Sequence, residues 1–130
     1  MNIGEASART GVSQRMIRHY EKIGLIPAPA RRDSGYRDYV HADIARLRFI
    51  ANARDLGFAI EEIGELLALW SDDHRASAEV KALALAKAEE LGRKAKALSD
   101  MRESLLHLAE SCAGDARPDC PIIARMAGEV

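Results

Sequence analysis

Apolar residues recur at helical spacing over most of this chain, and the places where the spacing fails divide it into segments. Asn2 stands where it can cap a first helix of about Ile3–Thr10, with Ile3 and Ala6 facing inward. Gly11 suits a tight turn, Val12 begins the turn, and Ser13 can accept a hydrogen bond from a free N–H, so a second helix should start near Gln14. In that helix Met16, Ile17 and Tyr20 share one face, while Arg15, Arg18 and Lys22 project elsewhere. Gly24 and Pro27 end it. Arg31, Arg32 and Arg37 then flank a turn at residues 33–35, and Tyr36 and Tyr39 sit where extended chain is favoured, which predicts a basic strand-turn-strand. Helical period returns over residues 42–56, through Ile44, Leu47, Ile50 and Ala51, and again over residues 60–70, through Ile63, Leu66 and Leu67. These two helices are expected to supply most of the core.

Residues 71–73 break the pattern, and the sequence reading places a domain boundary there. Beyond it, no proline interrupts the run from Ser77 to Glu110 and Gly92 is its one weak helix former, so a single long helix is expected. Ala84, Ala88, Leu91, Ala95, Leu98, Leu105 and Leu108 follow alternating four- and three-residue steps, with Arg102 as the polar intruder. That is a heptad seam. A helix extending so far past a small domain has little of its own chain to cover the stripe, so a second copy is the natural partner, with Leu91, Leu98 and Leu105 in the interface. The alternative is a helix packed within a bundle of its own chain. The expected organisation is a head at residues 1–72, a dimerisation helix at 73–110, and a loop with a short helix at 111–130.

Charge changes this picture by its distribution. The whole chain carries a formal net charge of -1, but residues 1–60 hold 10 Lys/Arg against 6 Asp/Glu, and the remainder 9 against 14. An arginine-bearing helix after a tight turn, beside a basic hairpin, is what entry into a DNA groove requires, and the positive half is the part that would meet a polyanion. No apolar run is long enough to cross a bilayer and the start M-N-I-G-E has no signal-peptide pattern, so a soluble cytoplasmic protein without membrane partners is expected. No catalytic dyad, triad or glycine-rich phosphate loop is present, which argues against an enzyme.

Cys112 and Cys120 are the two cysteines. Soft thiolates favour Cu(I), zinc or iron–sulfur clusters, but two are too few for a four-thiolate cluster or an ordinary closed zinc site. A monovalent d¹⁰ ion is satisfied by two sulfurs. Pro121 suits a first helical position, which would put Cys120 at a helix start where N–H groups favour its thiolate. His107 and Asp119 allow a mixed zinc site to be drawn, whereas His19, His41 and His74 have no neighbour suggesting ligation. Spacing alone leaves a metal site, a redox pair and an inert pair open.

The motifs I-G-E-A-S, T-G-V-S, M-I-R-H-Y-E, G-L-I and S-G-Y-R, in this order from Ile3 to Arg37, resemble the DNA-binding domain of the MerR family of transcriptional regulators. The terminal C-A-G-D-A-R-P-D-C-P-I-I is similar to the metal loop of that family's copper efflux regulators, so the resemblance runs along nearly the whole chain. It implies a mainly α protein: a winged helix-turn-helix DNA-binding domain, a long antiparallel coiled-coil dimerisation helix, and a short C-terminal metal-binding loop and helix. Cys112 and Cys120 fall on the positions that hold Cu(I), one ion per loop, with Ag(I) or Au(I) as further candidates. Ser77 falls on a position that is Ser in copper sensors and Cys in sensors of divalent metals, and Lys81 one turn on is a candidate to neutralise the site. For DNA, the resemblance carries Arg15, Arg18, Tyr20, Tyr36 and Arg37 to contact positions, Arg15 as the base reader and the others toward phosphate. Tyr20 also suits the core. Arg31 and Arg54 are further cations able to reach phosphate. The implied function is a homodimer on promoter DNA that, on binding metal, distorts the DNA so that RNA polymerase can activate copper-efflux genes. A sensor of divalent metal, a thiol-redox switch and a metal-trafficking scaffold that does not use DNA are the other readings.

Overall fold

A computed structural model describes residues 1–72 and 74–129 of the chain as six helices and their connections. Helix α1 is Ile3–Thr10, and the Asn2 side chain caps it by accepting from the Glu5 N–H at 2.8 Å. It ends at Gly11, whose φ of 73° is left-handed backbone that glycine adopts without a Cβ penalty. Helix α2 is Gln14–Lys22, and Ser13 Oγ accepts from the Met16 N–H at its start. Gly24, with φ 78°, lets the chain double back, and the Leu25 N–H donates to the Tyr20 carbonyl at 2.9 Å. This is a glycine C-cap that satisfies a carbonyl the helix would otherwise leave open.

Helix α3, His41–Asp55, lacks a Ser, Thr, Asp or Asn at its cap, so the Asp43 carboxylate reaches back to accept from the Val40 N–H at 2.9 Å. Glu62 does the same for the Ala59 N–H at the start of α4, Ile60–Ser71. In both cases a carboxylate also complements the positive end of the helix. The long α5 is Ser77–Glu110 and the short α6 is Pro121–Met126. These boundaries agree with the sequence reading to within a residue.

The expectation of a core supplied mainly by α3 and α4 needs correction. Ile44, Leu47, Ile50 and Ala53 of α3 are buried, but α4 contributes only Ile63 to the buried set. The rest comes from Ala6, Val12, Ile17, Tyr20, Ile26 and Tyr39, so the recognition segment itself is part of the core. Leu66 and Leu67 pack at its margin, and Trp70 stays partly exposed with its indole stacked on Phe49 at a centroid distance of 4.8 Å. Each fully buried aliphatic side chain contributes about 1.5–3 kcal/mol, which is why α2, through Ile17 and Tyr20, cannot be lifted from this core without losing much of the fold.

The strand-turn-strand is also less regular than expected. Residues 30–38 form a narrow hairpin closed by Asp38 N–H to Ala30 carbonyl at 2.7 Å and Arg32 N–H to Tyr36 carbonyl at 2.8 Å. Only the pair Arg31 and Arg37 forms a bridge, and no strand is present among the described residues. A hairpin this short has too few ladder bonds to hold itself and is anchored from outside. Tyr39 is buried, its N–H donates to the Met1 carbonyl at 2.7 Å, and Asp38 takes the Met1 ammonium at 2.6 Å and Arg32 at 3.2 Å. The ammonium first and Arg32 second hold the Asp38 carboxyl below its ordinary range.

The chain divides into two compact units, Met1–Ala84 and Leu85–Val130. The sequence reading had put the head's end at residues 71–73, of which Asp73 lies outside the described residues, as does Val130 at the end of the expected metal segment. The first turns of α5 belong with the head because Val80 and Ala84 line an apolar groove with Phe49, Phe58 and Leu66. In the second unit Leu91, Leu98 and Leu105 are 43%, 64% and 52% exposed. No helix among the described residues is long and apolar enough to cross a membrane.

Candidate nucleic-acid interface and thiol site

Burial of Ile17 and Tyr20 fixes the rotation of α2 about its axis. Arg15 and Arg18, two and five residues past the Ser13 cap, are consequently exposed. Across from them the hairpin presents Tyr36, 74% exposed, together with Arg31 and Arg37. Arg18, Arg31, Tyr36 and Arg37 line one cleft of about 320 Å³, floored by Asn2 and Ile3 at the start of α1. Three arginines and a tyrosine around one opening are chemically suited to a phosphate chain, since cations and hydroxyls set the register of a protein on DNA. Arg15 lies outside this cleft, on the free face of α2, where a side chain can reach base edges.

Two of the cleft's arginines are tied down. Arg31 Nη1 donates to the Gly35 carbonyl at 2.9 Å, and Arg37 Nε donates to the Glu21 carboxylate at 2.8 and 3.1 Å. Tyr20 differs from the contact role its position implied: its ring is 2% exposed, and its hydroxyl accepts from Arg54 Nη1 at 2.8 Å. The phenol thus faces an arginine, and Arg54 on the outer face of α3 is the group it presents. Sequence reasoning named Arg54 but missed its partner, and missed Glu21 altogether, because no local spacing signals a contact across 16 or 34 residues.

In the second unit Cys112 follows the last turn of α5 and Cys120 occupies the cap position of α6, with Pro121 next. The loop between them is folded on itself: the Asp115 carboxylate accepts from both the backbone N–H and Nε of Arg117. The two Sγ atoms are 3.9 Å apart, both cysteines are free and both are half-buried. That separation is nearly twice a disulfide bond of about 2.05 Å and short enough for both sulfurs to touch a single ion. The N–H of Ile123, and after it that of Ile122, point at Cys120 and lower its thiol pKa against the opposing effect of burial, with the Cys112 thiol adding a little. No group of three His, Cys, Asp or Glu side chains converges among the described residues, so the site drawn with His107 and Asp119 is not assembled. Ser77, the first residue of α5, and Lys81 are exposed and belong to the first unit rather than to that of the thiols.

A capped two-helix reader, a basic hairpin beside it and a separate long helix define a helix-turn-helix transcription regulator. The chain belongs to the MerR family: a model described as "MerR HTH family regulatory protein" matches residues 1–69, and one described as "MerR, DNA binding" matches residues 44–108. Among its relatives is the HTH-type transcriptional regulator HmrR of Sinorhizobium medicae, 59% identical over 127 residues that cover 98% of this chain and 86% of that protein. The regulator CueR of Salmonella typhimurium is 44% identical over 128 residues, covering 98% and 93%. A solved structure of the regulator PbrR691 from Ralstonia metallidurans in complex with lead(II) superposes with a TM-score of 0.83 at 31% identity, covering 97% of this chain and 98% of that one. The chain is accordingly a DNA-binding transcription regulator and not an enzyme.

Two predictions follow from these geometries. Arg18→Ala should weaken binding to duplexes of any sequence and reduce the salt slope by about one unit, whereas Arg15→Ala should relax discrimination at one position of each half-site by about 1–3 kcal/mol. Fluorescence anisotropy over a salt series, with an operator selected from a random pool and its single-base variants, checks both. For the thiols, in Cys112→Ser the alkylation rate of Cys120 should rise with a midpoint below the roughly 8.5 of a free cysteine. The direction follows from the folded-state pKa being depressed: the thiolate appears at lower pH than in the unfolded chain, so the midpoint should move back up in urea. Mass spectrometry of timed iodoacetamide reactions reads it.

Proposed function

We propose that the chain is a Cu(I)-responsive transcription activator that also accepts Ag(I) and Au(I), binds promoter DNA as a homodimer, and controls copper-efflux or detoxification genes. The observation that carries this reading is the donor set: two free thiols 3.9 Å apart, with backbone N–H groups favouring the thiolate of Cys120. A soft monovalent ion is served by such a pair, whereas Zn(II) requires about four ligands and hard cations prefer oxygen. Cys112 and Cys120 would hold one ion per loop, and the ion would tie the segment after α5 to the start of α6. The net negative charge of a bis-thiolate site is partly offset by the Ile122 and Ile123 N–H groups.

The exposed leucines of α5 support dimerisation. Antiparallel pairing along Leu91, Leu98 and Leu105 would remove them from water and would bring Ser77 and Lys81 of one protomer toward the thiols of the other. A hydroxyl at Ser77 supplies no third sulfur, which favours a monovalent ion, and Lys81 would add positive charge. Metal binding at such an interface can act on DNA only by favouring one dimer geometry over another. The DNA-binding heads would then impose that geometry on the promoter, giving RNA polymerase access to both promoter elements. A cytoplasmic location fits this role.

Two measurements test the reading. Leu98→Asp should place an unpaired charge in the seam and abolish the dimer, lowering affinity for a palindromic site while leaving the head folded. Analytical ultracentrifugation decides it, and a dimeric mutant would move the interface elsewhere. In anaerobic transcription from a promoter built on the selected operator, Cys112→Ser or Cys120→Ser should retain operator affinity and lose the response to buffered Cu(I). Ser77→Cys should raise the response to divalent ions. Strong activation of the unmodified chain by Zn(II) would overturn the monovalent assignment, and full activation by an oxidant without metal would turn the thiol pair into a redox switch.

A further inference from the structure

Glu21 lies at the end of α2 on the side of the hairpin, and its side chain is only 14% exposed. Both of its carboxylate oxygens close on one atom of the hairpin, Arg37 Nε, at 2.8 and 3.1 Å. Arg37 is itself two-thirds covered, which is unusual for an arginine on a surface that carries Arg18, Arg31 and Arg32 exposed. The contact uses the inner nitrogen of the guanidinium. Among the described residues the two terminal nitrogens of Arg37 make no hydrogen bond, while the side chain lines the same cleft as Arg18, Arg31 and Tyr36.

On charge alone this arrangement works against DNA binding. A carboxylate beside a phosphate-facing surface repels the polyanion and neutralises one of the few cations present. Its presence, nearly buried and aimed at Nε, is explained if what it supplies is orientation. The hairpin has a single bridge pair to hold its shape, and a free arginine on it would sample many rotamers, all but one of which are lost on binding. Clamping Nε settles those torsions in advance and fixes the plane of the fork. We propose that Glu21 is a positioning residue for DNA recognition: it locks Arg37 of the hairpin to the recognition helix so that the terminal nitrogens meet phosphate in a fixed register. The proposal rests on the reading of Arg37 as a phosphate contact.

The charge effect and the positioning effect have opposite signs, which makes the test decisive. Binding of the full chain to a short mixed-sequence duplex is measured by anisotropy over a salt series for Glu21→Gln, Arg37→Ala and the double variant, with thermal unfolding followed on each. Positioning predicts that Glu21→Gln weakens binding by about tenfold, close to the loss from Arg37→Ala, and that both lower the salt slope by about one unit. The double variant should be no weaker than Arg37→Ala, since Glu21 has nothing left to position. Glu21→Asp, which keeps the charge but withdraws it by one methylene, should also lose affinity, and it serves if Glu21→Gln unfolds. Unchanged or tighter binding by Glu21→Gln or Glu21→Asp, with Arg37→Ala weakened, overturns the proposal alone. Normal binding and salt slope in Arg37→Ala overturns the phosphate reading and the proposal with it.

Discussion

The inward stripe of α3, through Ile44, Leu47 and Ile50, is the surface on which the head is assembled. A small domain has one core, and the helix that reads DNA must give part of itself to it. Ile17 and Tyr20 are that part. Once they are buried, the remaining face of α2 has no freedom of rotation, and Arg15 and Arg18 point outward because the apolar positions point in. The hairpin obeys the same constraint through Tyr39, whose burial roots a segment with almost no hydrogen-bond ladder of its own.

Around this core the positive charge is managed residue by residue. Glu21 holds Arg37, the Tyr20 hydroxyl holds Arg54, the Gly35 carbonyl holds Arg31, and Asp38 takes Arg32. Each acceptor is supplied by a residue that is itself fixed by packing, capping or the hairpin turn. These four arginines are oriented before any ligand arrives, so less conformational entropy would be lost where they bind. A chain with a formal net charge of -1 can present a basic face because residues 1–60 hold 10 Lys/Arg against 6 Asp/Glu, while residues 61–130 hold 9 against 14.

The thiols belong to a different unit from the arginines, so in the proposed function sensing and reading would be carried by separate parts of the chain. Cys112 and Cys120 are brought to 3.9 Å by a helix end, a self-tied loop and a helix start, all within residues 107–126. For a signal to pass between them, a dimer must have two geometries that differ in energy by an amount an ion can shift. The exposed leucines of α5 and the position of Ser77 at its first turn are the features from which such a dimer would be built.

The sequence by itself determined the elements, because their signals are local. Ser13 and Asn2 announce helix starts, Gly11 and Gly24 supply left-handed caps, and the three- and four-residue steps mark the buried face of each helix. The two cysteines were legible as a pair for the same reason, lying on either side of one short loop before Pro121. Tertiary structure alone decided which residues meet across the chain. It made α3 rather than α4 the centre of the core, reduced the strand pair to one bridge, and placed Tyr20 in the core as the support of Arg54. The Glu21 and Arg37 pair belongs to the same class. Periodicity encodes which side of a helix avoids water, but the identity of a polar partner depends on where a separate segment is placed by packing, and that placement leaves no mark in the spacing of either segment.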